Sequence, residues 1–161
     1  MLKETGYRRK DALLYAKQWA LSRNPRYLDF ENMGGDCTNF ASQCIYAGSG
    51  VMNYTPTTGW YYNSGWDRTP SWTGVEYLYK FLVGNKSVGP YAVETEEAGA
   101  QPGDIVQLGN ADGFYHSTVI VYVSPEHIFV AAHTYDAYMR PLDSYIYEKA
   151  RFLHIQGVHS W

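Results

Sequence analysis

Apolar residues along positions 7 to 23 recur as Ala12, Tyr15, Ala16, Trp19 and Ala20, which is one face of a helix, and Asn24-Pro25 supplies its stop. A polar connection through Asp29, Glu31 and Asn32 leads to Gly34-Gly35-Asp36. The helical spacing then returns at Cys37, Phe40, Ala41, Cys44 and Ile45. Asp36 is placed to accept the free N–H groups of that second helix's first turn, which makes Cys37 its first residue, and Gly48 to Gly50 ends it. From Asn53 to Ser71 no period is sustained, so this stretch reads as a long surface loop of the kind that lines binding sites. Thr73-x-x-Glu76 has the form of a capping box, and Val75, Leu78, Tyr79 and Leu82 continue a third helix to Gly84-Asn85.

Beyond residue 89 the period changes from helix to strand. Pro102-Gly103-Asp104 is turn chemistry and Ile105 to Leu108 a short buried strand. Gly109 to Tyr115 reads as a loop and His116 to Val123 as a β-branched strand that His116 opens. Ser124-Pro125-Glu126 is a turn, Ile128 to His133 a returning strand, and Ala150 to Val158 a further one. Helices first and an antiparallel sheet afterwards make one α+β domain over residues 1–161. If the hairpin centres near Ser124-Pro125, paired residues sum to about 249, and His116 faces His133 with Cβ atoms roughly 5 Å apart. A slip of one residue would put them on opposite faces.

Composition narrows the classes. With 161 residues and 45% hydrophobic content the chain can bury a core without disulfide or metal staples. A net charge of −3, with Arg8 to Lys10 the one short basic run, argues against nucleic acid as a partner. No apolar run approaches transmembrane length, so membrane insertion is not expected, and a monomer is. No signal peptide is visible at Met1 to Gly6. The expected location is secreted or cell-wall associated if one was removed, and cytoplasmic otherwise. Cys37 and Cys44 lie roughly 10 Å apart along one helix at about 1.5 Å per residue, too far to bridge. Neither zinc-finger spacing nor another metal-ligand cluster is present, so no metal or other cofactor is expected.

The chemistry centres on Cys37. A helix N-terminus favours thiolate, which makes this thiol activatable, whereas Cys44 lacks that position. Cys37 also shares an apolar stripe with Phe40 and Ala41, so an inert, buried cysteine is an open alternative. His116 is the residue that tips the balance, as a base able to take the Cys37 proton and return it to a leaving amine. His133, or alternatively Asp136, would hold the His116 ring in one tautomer. The 16 Tyr and 5 Trp are concentrated around Trp60, Trp66 and Trp72. These three are candidates for substrate contact, against a simpler reading as core filling.

The segment Gly35-Asp36-Cys37-Thr38-Asn39-Phe40-Ala41-Ser42-Gln43 resembles the nucleophile motif of the bacterial amidase domain family, which is similar to the NlpC/P60 and CHAP peptidases. Pro102-Gly103-Asp104-Ile105-Val106 resembles the turn and strand before the catalytic histidine of such papain-like enzymes. His116-Ser117-Thr118-Val119-Ile120-Val121 resembles the histidine strand, and Phe129 to His133 the strand of the third polar residue. The resemblance implies a papain-like fold and a cysteine amidase or peptidase, with Cys37 as nucleophile, His116 as base and His133 or Asp136 as orienter. It also implies an acyl-thioester intermediate and a peptide or peptidoglycan-type substrate of the bacterial cell wall. The Cys37 backbone N–H is the candidate oxyanion donor, with Asn32 or Tyr27 as side-chain alternatives. A competing reading is a non-catalytic peptidoglycan- or peptide-binding module that uses the aromatic loop 60–72.

Overall fold

The computed structural model describes residues 1–161. Short strand β1 (Lys3–Glu4) precedes helices α1 (Arg9–Trp19) and α2 (Cys37–Ser49). A two-stranded excursion follows, β2 (Tyr62–Ser64) and β3 (Asp67–Arg68), then the short α3 (Pro70–Thr73) and α4 (Val75–Gly84). The second half is β4 (Gly89–Thr95), β5 (Ile105–Asn110), β6 (Gly113–Val123), β7 (Ile128–Ala132), β8 (Ala137–Pro141) and β9 (Lys149–Ser160). The expected α+β plan holds, with helices packed on an antiparallel sheet. No helix is long and apolar enough to cross a membrane.

The sheet has seven strands, ordered β1-β9-β5-β6-β7-β8, with β4 on the other edge of β9. Side chains alternate across it, as the pleat requires. Ile105, Val119, Ala131, Leu153 and Ile155 join Phe40, Ala41, Ile45, Leu78 and Leu82 of the helices in the main core. Val106, Leu108, Ile120 and Val130 form a smaller cluster on the opposite face, covered by Leu142, Tyr145 and Tyr147.

Pro102-Gly103-Asp104 has a structural task. Along one edge of β9, between the stretches paired with β1 and β5, Asp104 accepts the Ile155 N–H at 3.0 Å in place of a strand. The same buried carboxylate takes Arg9 Nη1 at 2.8 Å and meets His154 Nδ1 at 2.9 Å, while Tyr7 donates to the Gly103 carbonyl. Gly103 has φ +95°, a left-handed conformation that a residue with a Cβ adopts only with strain.

Several local expectations are corrected. Residues 109–115 are a tight hairpin whose pairing runs to Asn110–Gly113, so β6 begins at Gly113 and His116 lies inside the strand, opposite Leu108. The capping box does not form. Gly74 precedes α4, Thr73 Oγ1 accepts from Arg68, and Glu76 is drawn to Arg151 at 2.8 Å. The loop expected over 53–71 carries the β2–β3 pair, and its Trp60, like Trp72 of the following α3, is fully buried in the core.

Asp36 does not cap α2 through its side chain. Its carboxylate turns inward instead, accepting the Phe30 N–H and the Asn39 amide, both at 2.8 Å, and pairing with His133 Nδ1 at 2.5 Å. His133 Nε2 reaches the Trp19 carbonyl at the end of α1, at 2.8 Å. Phe40 stacks on the ring with centroids 4.2 Å apart. Asp36 and the Trp19 carbonyl thus engage both ring nitrogens. Removing one partner of a buried hydrogen bond and leaving the other unsatisfied costs about 1–3 kcal/mol. Replacing His133 with Ala is therefore expected to lower the unfolding free energy by about that amount in urea denaturation. A loss below about 1 kcal/mol would mean that the pair does not hold α1, α2 and β7 together.

Candidate active site

Cys37 is the first residue of α2, and its N–H makes no hydrogen bond within the chain. Ahead of it, Gly34 and Gly35 both adopt left-handed φ, near +105°, and a Cβ on Gly35 would press on Thr134 Oγ1 at 3.2 Å. A buried polar network seats the start of α2 on the sheet. Thr38 Oγ1 and Ser117 Oγ are 3.0 Å apart, Gln107 Nε2 donates to Ser117 Oγ, and Arg151 Nε donates to Gln107 Oε1. Pairing of β6 with β7 stops at Val119–Ala131, and just beyond it the Ser117 N–H reaches the Cys37 sulfur.

Cys37 and His116 line one cavity of about 390 Å³. Gly34, Gly35 and Thr134 form the wall beside the thiol, while Leu108, Arg140 and Tyr145 lie around the imidazole. Tyr115, Tyr135 and Ile146 are exposed at its mouth. His116 Nε2 is buried without a hydrogen-bond partner, and so is the Tyr145 hydroxyl, whose ring lies 5.7 Å from the imidazole. Buried polar atoms are seldom left unpaired, and here the two orphans lie together in the wall of one cavity. Burial, and then the charge of Arg140, holds the His116 pKa down at about 4, so the ring is a neutral base. Burial raises the Cys37 thiol, against the smaller pull of the Ser117 N–H. The resting pair is thus thiol and neutral imidazole.

The expected orienters of His116 are placed elsewhere. The β6–β7 pairs nearest His116, Val119–Ala131 and Ile120–Val130, sum to 250 and not to 249, so His116 and His133 project from opposite faces. Both His133 nitrogens are committed, to Asp36 and to the Trp19 carbonyl. Asp136 is held by Arg23 through two bonds, at 2.7 and 3.1 Å. Neither residue is free to hold His116. His133 instead holds Asp36, the residue before Cys37.

The aromatic candidates separate in the same way. Trp60 and Trp72 are fully buried and donate their indole N–H groups to Ser42 Oγ (3.1 Å) and Asn39 Oδ1 (3.0 Å) of α2. They are core residues out of reach of a bound molecule. Trp66 is exposed on the excursion but does not line the cavity. Nor do Asn32 and Tyr27, and Tyr27 packs against Tyr62 and Trp72. Cavity residues that the sequence did not single out include Thr134 and Tyr135 of the β7–β8 turn, Arg140 of β8, and Ser144, Tyr145 and Ile146 of the irregular segment before β9.

The family model described as "Putative amidase domain" matches residues 6–156. Uncharacterized protein YhbB of Bacillus subtilis (strain 168) is 36% identical over 141 residues, which cover 83% of this chain and 43% of that protein. The chain thus spans less than half the length of this curated relative. No solved structure matches it. The family match takes in both halves of the cavity, from the segment that delivers Cys37 to the strand that carries His116. The chain belongs to the putative amidase domain family.

Proposed function

We propose that this protein hydrolyses amide bonds as a papain-like cysteine amidase, with Cys37 as nucleophile and His116 as general base. One observation carries the reading: a thiol at a helix start and a buried imidazole with an unpaired nitrogen share one cavity. Membership of an amidase family supports the reaction class.

In the proposed cycle His116 removes the Cys37 proton as the sulfur attacks the amide carbonyl carbon. The carbonyl electrons move onto oxygen, where the free Cys37 N–H and the N-terminal dipole of α2 stabilise the charge. The tetrahedral intermediate collapses, the C–N bond breaks, and His116 returns its proton to the leaving amine. Water, deprotonated by His116, then attacks the thioester carbonyl, the C–S bond breaks to release the acid, and His116 returns the proton to the Cys37 sulfur. Neutral imidazole suits this sequence because it accepts a proton without first losing one. The proposed role of His133 is positioning, since it acts on Cys37 through Asp36. The proposed substrates are peptides, of which bacterial cell-wall peptides are the first to test.

Replacing Cys37 with Ala should abolish release of new amine termini from peptidoglycan digests or peptide libraries, read by mass spectrometry, and leave the circular dichroism spectrum unchanged. Equal turnover by the variant would remove Cys37 from the mechanism. The pH profile provides a second check. Folding depresses the His116 pKa to about 4 from the usual 6.5, so the folded enzyme keeps the active neutral base down to that value. The acid limb of kcat/KM is expected near pH 4. The same shift makes stability fall as pH drops from 6.5 towards 4, because the unfolded chain binds the proton first. An acid limb at 6.5 or above, with the fold intact, would exclude a buried neutral His116 as the base.

A further inference from the structure

Arg140 is the one charged side chain in the wall of the Cys37–His116 cavity, and no Asp or Glu lines it. Arg9, Arg23 and Arg151 are each held by a carboxylate within the chain, whereas Arg140 has no such partner. The guanidinium is fixed nonetheless. Nε donates to Ser144 Oγ at 2.8 Å, Nη2 donates to the Ser144 carbonyl at 3.2 Å, and the group lies 3.6 Å over the Tyr145 ring. Beyond Ser144 its neighbour is the uncharged Tyr145 hydroxyl, and no carboxylate of the chain takes up its charge. A cation already oriented, stacked and desolvated on one side, with no carboxylate partner, is arranged to receive an anion. Two hydrogen bonds and a stacked ring hold in advance the rotamers that binding would otherwise have to freeze.

We propose that Arg140 is the specificity-determining residue of this site and binds a carboxylate that the substrate carries close to the amide to be cut. The proposal rests on the amidase reading for its reaction, but its geometry does not depend on it. Arg is suited to this ligand because its planar fork matches a carboxylate in shape as well as in charge. Arg140 also has a cost, since its charge opposes protonation of His116 and weakens the base. A bound carboxylate would neutralise that charge and remove the smaller of the two causes that weaken His116, burial being the larger. An uncharged peptide would leave both in place, so selectivity would appear in turnover as well as in binding.

The carboxylate has two possible sources, a peptide chain terminus or an acidic side chain. The first test needs no substrate. Iodoacetate and iodoacetamide are close in size and differ in charge, and with both the Cys37 sulfur displaces iodide to form an S–C bond while its proton is lost. Alkylation of Cys37 is followed by peptide mass spectrometry, with Cys44 fully buried as an internal comparison. The iodoacetate-to-iodoacetamide rate ratio should exceed that of glutathione and fall about tenfold in Arg140→Gln, with folding checked by thermal melting. Any change in the thiolate fraction cancels in the ratio. A ratio that is the same in the two proteins overturns the proposal.

The second arm uses peptides that the wild-type protein cleaves, each compared with its C-terminal amide and with its Glu→Gln or Asp→Asn counterpart. A fall of about tenfold or more in kcat/KM on C-terminal amidation identifies a terminal carboxylate, and the same fall on side-chain neutralisation identifies an acidic residue. Arg140→Gln should erase that preference in either case. Indifference to both changes overturns the proposal. Absence of any cleavage counts against the amidase reading alone, because the alkylation ratio still decides whether Arg140 receives a carboxylate.

Discussion

The contact on which this structure depends is the buried pair of Asp36 and His133. One carboxylate gathers the backbone of Phe30, the side chain of Asn39 and the imidazole of a residue 97 positions away, and the imidazole extends the tie to the end of α1. Withdrawing polar groups from water carries a free-energy penalty that a full set of hydrogen bonds offsets. Here both ring nitrogens are bonded, Phe40 covers the ring, and Asp36 has three hydrogen-bond partners with Arg23 Nε 3.7 Å away. Because Asp36 is the residue before Cys37, placing the thiol and docking the helices onto the sheet are one event.

The electrostatics of the cavity follow from a comparison of magnitudes. A helix N-terminus stabilises an anion by about 0.3–1 kcal/mol at the surface and ~2 kcal/mol when partly buried. Burial of an isolated charge costs several kcal/mol, so desolvation decides the resting state of both groups. It raises the thiol and lowers the imidazole, and the two neutral forms are the stable ones. With both groups neutral, Arg140 is the one charged side chain in the cavity wall.

Much of this arrangement was legible in the sequence. The helical spacing around Phe40 and Ile45 and the Gly-Asp before Cys37 located α2 to within its first residue, because period and punctuation are local signals. The segment 36–43 is distinctive for a physical reason. Asp36, Thr38, Asn39 and Ser42 are all buried and partnered, and Gln43 accepts from Tyr15, so several of its polar residues serve the scaffold while Cys37 lines the cavity. Non-local geometry was not legible. The register of β6 and β7 turned on a single residue, which an irregularity between Ile120 and Tyr122 sets and no residue type announces. Trp60 and Trp72 looked like a binding surface because burial depends on a partner, α2, that lies far away in sequence. Arg140 and Tyr145 carry no periodic signal, since the segments that bring them to the cavity obey the sheet's closure and not a pattern of their own.

The turn between β7 and β8 places Thr134 and Tyr135 consecutively at φ +63° and +61°, a conformation that Asn and Gly adopt with less strain. Thr134 is held there by Glu31 and by the Asp36 N–H, whereas Tyr135 stands almost wholly in solvent at the cavity mouth. The protein therefore stores conformational energy at the rim of the Cys37–His116 cavity. A glycine at position 135 would release that energy, and because the Tyr135 side chain stands in solvent it would take little packing with it. This turn is thus a place where the fold can be made more robust without touching its core.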